Sequence, residues 1–212
     1  MSSNGSNGTN AIKYGERGRT LSAELIEQYR GVQPATIGHM PGTRLMTWAI
    51  KPGYRNCKLV GQAFTVSSFG LDISTTSKAC DLIEAGEVMV VDRGGDVENA
   101  CIGEFRALAQ QKKGVAGWVI DGASTDILEC EAMKFPIFAR TWSARVGHPA
   151  NLGGLINLPV SCGGVTVHPG DLIVGDDNGV AVLSPDEAEA LLAKCLEVEA
   201  REAERRLEYQ PK

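Results

Sequence analysis

The chain has 212 residues, 43% hydrophobic and 22% charged, a globular composition with enough length to bury a full core. A formal charge of -5 and a pI near 5.3 argue against a broad phosphate-binding face, and so against nucleic acid as a direct partner. No run approaches a membrane span, no leader pattern opens the chain, and the six cysteines form no CxxC pair, which excludes a membrane partner, a zinc finger and a redox dithiol as readings. The cytoplasm is the expected address, with most cysteines serving as small buried apolar residues.

In chain order, residues 1–12 are Ser/Asn/Gly-rich and are expected to form a disordered tail, with 13–212 as a single domain. A helix is predicted over Ser22–Tyr29, with Ser22 as its cap and Leu25, Ile26 and Tyr29 on one face. Gln33-Pro34 ends it, and Pro34–Gly53 reads as a loop running into an edge strand at Arg44–Ile50. Lys58–Val66 is a strand in which Gly61 permits close backbone approach. Ser77–Ala85 is a short helix with Ala79, Leu82 and Ile83 inward.

The central stretch is Gly94–Asp126. Val88–Asp92 before it and Trp118–Asp121 within it are apolar throughout, as strands covered on both faces must be. Between them Glu104–Lys113 has helical spacing, with Phe105, Leu108 and Ala109 as its apolar positions and a stop at Gly114. This is a βαβ unit, and ligands of such units bind beyond the carboxyl ends of the strands. Glu104 and Asp126 both fall there. Asp92 and Asp121 read as strand-end turn formers. His39, His148 and His168 sit beside Pro or Gly in loops and read as loop residues.

After Asp126, Ile127–Met133 is a helical turn or two and Phe135–Arg140 a strand. Pro159–Val167 and the Asp177-Asn178-Gly179 turn then indicate hairpins on a β layer. Ser184-Pro185-Asp186-Glu187 is a complete helix start, and the helix continues to about Tyr209. Its core face is Ala188, Leu191, Leu192, Cys195 and Leu196; beyond Glu197 it is mostly charged and projects, either into solvent or towards a neighbouring subunit.

Together VGQAFTV, the G-E-x20-T-D spacing from Gly103 to Asp126, VIDG, PVSCGGVTVHPGD and DDNGV resemble the family of the regulator of ribonuclease activity A and the class II pyruvate aldolases, which act on hydroxymethyloxoglutarate and carboxyhydroxyoxoadipate. The match runs from about Leu59 to the C-terminus. The resemblance implies an α/β fold of the swivelling, phosphohistidine-domain kind: a βαβ core with a β layer and a long C-terminal helix. It also implies a trimer or hexamer with magnesium, or another divalent metal such as manganese, bound between subunits.

Carried over by position, Asp126 is the metal ligand and Glu104 the acid that orients or deprotonates a metal-associated water. Gly103 and the backbone amides of Phe105 and Arg106 hold the substrate carboxylate. An acid from the neighbour's C-terminal helix completes the site, with Glu202 aligning better than Glu199. One position departs: the aldolases carry Arg immediately before the metal-binding Asp, where this chain has Thr125. Arg106, Arg140 and Arg145 are the candidate substitutes.

Two functions are consistent with these residues. One is a metal-dependent lyase that cleaves or decarboxylates a small 2-oxo acid, with Thr125 admitting a changed substrate class. The other is a non-enzymatic regulator that binds a protein partner. In the plainest alternative, Glu104 complements the helix dipole and Asp126 caps the following helix.

Overall fold

A computed structural model describes residues 11–209; the first ten residues of the expected tail lie outside this range, and strand β1 (Ile12–Tyr14) begins at its last position. Helix α1 (Ala23–Tyr29) starts at Ser22, whose hydroxyl accepts the Leu25 N–H at 3.2 Å. The segment after it departs from the expected loop. Helix α1 already ends at Tyr29, and Gln33-Pro34 instead opens a second helix, α2 (Pro34–Gly38), because proline in a first turn gives up only an N–H that has no helical acceptor. The single edge strand expected over Arg44–Ile50 is two short pieces, β2 (Arg44–Leu45) and β3 (Lys51–Pro52), at opposite ends of the main sheet.

Strand β4 (Leu59–Ser67), α3 (Ser74–Leu82), β5 (Glu87–Ala100), α4 (Glu104–Lys113), β6 (Gly117–Ser124), α5 (Ile127–Ala132) and β7 (Ile137–Trp142) make consecutive βαβ units. Their four strands are parallel and adjacent. Gly61 supplies the close approach read from the sequence, since a Cβ there would overlap the Gly86 carbonyl oxygen. Helix α3 begins at Ser74 rather than Ser77, so Thr75, Thr76, Ala79 and Cys80 face inward while Leu82 is exposed.

The chain then adds β8 (Gly154–Ile156), the hairpin β9 (Val160–Cys162) with β10 (Val165–Val167), and the hairpin β11 (Leu172–Asp176) with β12 (Gly179–Leu183). Helix α6 (Pro185–Glu208) closes the fold. Ser184 and Glu187 form the capping box that its sequence predicts.

The main path runs β2-β12-β11-β4-β5-β6-β7-β3. Laid flat at about 4.8 Å per strand, its two ends would be roughly 34 Å apart. Yet Leu45 and Lys51 belong to opposite ends and are joined by a linker that spans at most about 20 Å when extended. The sheet therefore rolls up. Within the roll, a Cβ at Gly175 of β11 would lie 3.0 Å from the Phe138 ring of β7, although three strands separate β11 from β7 along the path.

Rolling creates three apolar layers. Met46, Ile50, Val90, Val119, Phe138 and Ile173 fill the inside, closed by residues of the β9–β10 hairpin. Outside, α3, α4 and α5 pack on the parallel strands around Trp118, Phe135 and Ile120. Helices α1, α2 and α6 cover β11 and β12 around Tyr29, Ile37 and Leu183. Among the described residues, no helix is long and apolar enough to cross a membrane.

Helix α4 has the predicted ends, with Gly114 left-handed at φ 84°, but not the predicted face. Ala107 and Gln110 are its buried positions. Phe105, 81% exposed, and Leu108 face outward, as does Ala109. Helix α6 also differs in detail, because its core contacts continue past Leu196. Val198 is buried, and the Glu199 carboxylate accepts the Gln33 N–H at 2.9 Å and the Thr36 hydroxyl at 2.6 Å, capping α2.

Candidate functional site

The segments Cys101–Glu104 and Ala123–Asp126 lie side by side at the carboxyl ends of β5 and β6. Ser124 Oγ and the Thr125 N–H both donate to the Ile102 carbonyl, at 2.9 and 3.2 Å. The Glu104 N–H donates to Asp126 Oδ2 at 2.8 Å, and the Thr125 hydroxyl donates to Asp126 Oδ1 at 3.1 Å. Gly103 is required by contact: a Cβ on it would overlap Asp126 Oδ2 and Thr125 Cγ2. Asp126 is left-handed at φ 61°, a conformation that Asp tolerates better than most residues. It occupies the N-cap position of α5 but makes no side-chain cap bond there. Its carboxylate turns back to α4 instead, which removes the reading of Asp126 as a cap for the helix that follows it.

The first backbone bond of α4 runs from the Ala107 N–H to the Gly103 carbonyl at 3.0 Å. The N–H groups of Phe105 and Arg106 precede it and are among those without a helical acceptor. With the positive end of the dipole, they are suited to an anion. Burial raises the Cys130 thiol to about 12, and Asp126, Glu129 and Glu104 nearby push the same way. Cys130 is thus a neutral, buried neighbour of these acids. Thr125, Asp126, Leu128, Trp142 and Ser143 line an open cleft on one side of Asp126; Gly103 and Arg106 line a smaller recess on the other.

The structure therefore brings Gly103, Glu104, Phe105, Arg106, Thr125 and Asp126 together. It does not bring Glu202 to them within one chain. Helix α6 packs on α1, α2 and β12, and the Glu202 carboxylate receives Arg206 at 3.4 Å. Among the described residues, no group of three or more His, Cys, Asp or Glu could hold a metal.

Of the candidate substitutes for the missing Arg, Arg140 is held by Asp121 and Arg145 approaches Glu98 at 3.7 Å. Arg106 has no acidic partner among the described residues. Asp92 forms a turn as expected, accepting the Gly94 N–H at 2.8 Å. Asp121 does not: it is buried within β6, where it pairs Arg140 and accepts the Gly163 N–H at 2.7 Å, fastening the β9–β10 hairpin to the sheet. None of the three histidines lines the space around Asp126.

Sequence reading missed two anchors beside the site. Asp72 is fully buried and accepts the N–H groups of Ser74, Ala150 and Leu152 at 2.7–2.9 Å. Arg93 is buried with its guanidinium on Ser68 Oγ, at 2.8 Å, and on the carbonyls of Gly70 and Asp72. Both residues bind backbone from distant loops, so no local spacing announces them. A cavity of about 410 Å³ lies at the other end of the parallel strands beside Gly86 and Glu87. Its arginines are already paired, Arg17 with Glu84 and Glu87 and Arg30 with Glu27, so the strand-end crevice is the better candidate.

A rolled sheet with βαβ units, and an acid beyond β6 bonded to the first turn of α4, define an α/β protein with a strand-end crevice. The chain belongs to the RraA-like Aldolase/RraA family, whose model matches residues 23–182. A Halalkalibacterium halodurans protein provisionally named 4-hydroxy-4-methyl-2-oxoglutarate aldolase is 37% identical over 178 residues, 84% of each chain. An uncharacterized protein of Methanocaldococcus jannaschii is 39% identical over 158 residues, 72% of this chain and 74% of its own length. The solved structure of Streptomyces coelicolor RraAS2, described as an unusual member of the RNase ES inhibitor RraA family, has the same fold at a TM-score of 0.78. It is 24% identical, with 90% of this chain and all of that one covered.

Proposed function

We propose that this chain is a lyase that cleaves or decarboxylates a small 2-oxo acid in the crevice between Asp126 and the first turn of α4. One observation carries the reading: the Glu104 N–H bonds Asp126 Oδ2 at 2.8 Å across a glycine that no other residue can replace without displacing the carboxylate. That contact unites two acids far apart in sequence beside free helix-end amides. The provisional name of the Halalkalibacterium relative supports the same class.

The residues fit a divalent cation. Each Asp126 oxygen accepts one hydrogen bond from the chain and so keeps a lone pair. Magnesium or manganese needs only one or two carboxylates and retains water. Asp126 would hold the ion, Glu104 would face it through water, and the partner subunit's Glu202 would complete the shell. Such an ion supplies Lewis-acid polarisation of the substrate's keto oxygen.

The chain does the rest. The Phe105 and Arg106 amides bind the carboxylate, and the Glu104 carboxylate, which has no hydrogen-bonded partner among the described side chains, takes and returns a proton. The Thr125 hydroxyl orients Asp126 Oδ1, leaving a less cationic pocket than a guanidinium would. Assembly as a trimer or hexamer is supported by the outward apolar row Phe105, Leu108, Ile127 and Leu128 beside the crevice. Six free, buried cysteines suit the reducing cytoplasm.

Pyruvate release from a panel of aldol and oxaloacetate-type 2-oxo acids, with and without magnesium, tests the proposal. Magnesium-dependent release is expected from at least one of them. Absence of release across the panel would favour the second reading, a regulator that binds a protein partner, which Thr125 supports by removing the guanidinium beside the metal ligand.

A further inference from the structure

Between α3 and the first turn of α4 lies a recess of about 120 Å³. Its floor is the buried Cys80, Cys101 and Ile102; its rim includes Ser77, Val146 and Arg106. Burial raises the Cys80 thiol to about 12 and the Cys101 thiol to about 11, so the floor carries no charge. The rim holds one unpaired cation, Arg106. Gly103 forms a wall between the recess and Asp126, which places an apolar hole directly beside the proposed reacting centre.

We infer that this recess is the subsite for a short alkyl substituent of the 2-oxo acid, with the Arg106 guanidinium reading the anionic end of the same molecule. The inference rests on the lyase reading and narrows its substrate class. A leucine-, isoleucine- and phenylalanine-lined cavity of about 150 Å³ binds benzene. A space of about 120 Å³ takes a smaller group, such as an ethyl or isopropyl branch. Each methylene transferred from water into it tightens binding about fourfold. The guanidinium adds a charge-assisted contact that a neutral side chain cannot replace.

Calorimetric titration of the magnesium-loaded full chain with pyruvate, 2-oxobutanoate and 3-methyl-2-oxobutanoate tests this. The wild type is expected to bind 2-oxobutanoate about fourfold more tightly than pyruvate. Ser77→Leu fills the recess from α3; Val146→Phe, at a position 59% exposed, closes its mouth without entering the core. Either change should abolish the preference and leave pyruvate affinity unchanged. Arg106→Gln should weaken all three acids about tenfold or more. If pyruvate binds but the wild type shows no preference, or the preference survives both filling substitutions, the recess is not the subsite and the lyase reading stands. If none of the three acids binds, both fall.

Discussion

Asp126 sits where three requirements meet: a left-handed backbone, a bond to the α4 amide and a bare Gly103 beside it. Asp126→Ala deletes the acceptor on which the proposed cation depends, and calorimetry should show magnesium affinity reduced at least tenfold with the fold retained. Thr125→Arg makes the opposite change. A guanidinium beside the carboxylate strengthens hold on an anionic transition state, so kcat/KM for oxaloacetate decarboxylation should rise about tenfold or more; a folded variant without any gain would show that the pocket has diverged beyond this position.

Asp72 acts on stability. Burial raises its pKa, but hydrogen bonds from Ser74, Ala150 and Leu152 outweigh that and hold it at about 2, against 3.8 unperturbed. Because the folded value is the lower one, its contribution is present above pH ~4 and is lost as pH falls towards about 2, an effect of about 2 kcal/mol. Denaturant melts across that window should show the loss, and Asp72→Asn should flatten it.

At the level of elements, α6 is both a cover and a cap. Gln33 begins α2 without a side-chain cap bond; its N–H and Nε2 and the Thr36 hydroxyl donate instead to Glu199 of α6. Glu199→Ala should therefore cost about 1–2 kcal/mol, read as a fall in Tm of a few degrees, with α2 fraying first in hydrogen exchange. The same contact shows which parts of the sequence were legible. Local chemistry gave the ends of α1, α4 and α6, since Ser22, Gly114 and the Ser184–Glu187 box act within one turn. Pro34 was misread because proline suits the end of a helix and the start of one alike. The face of α4 was misread because Phe105 and Leu108 signal burial without saying whether the cover is the chain's own core or another molecule. The Glu104–Asp126 meeting was foreseen from the βαβ register and the family spacing, whereas Asp72, Arg93 and the Asp121–Arg140 pair depend on tertiary placement.

For the whole molecule, the outward apolar row on α4 and α5 and the distance of Glu202 from its own chain's Asp126 point the same way. A site that needs both Asp126 and Glu202 must draw them from different subunits. Light scattering of the full chain should give a mass of at least three protomers, and Glu202→Ala should lower magnesium affinity by about 10- to 100-fold without changing that mass. A monomer that binds magnesium as tightly as the assembled protein would refute the shared site.

The rolled sheet also orders events during synthesis. The parallel block from β4 to β7 is complete once Trp142 has emerged, but Leu59–Gln62 of β4 find their antiparallel partner only when β11 follows, and Arg44 pairs with Val182 only near the end of β12. For the intervening stretch of translation, the nascent chain carries an unpaired β4 edge and an uncovered interior of Val88, Val90 and Val119. Unpaired edges of this kind recruit other chains. The seam that completes the roll is thus the last part of the sheet to form on the ribosome, and the interval before it closes is when the nascent chain is most open to unwanted pairing.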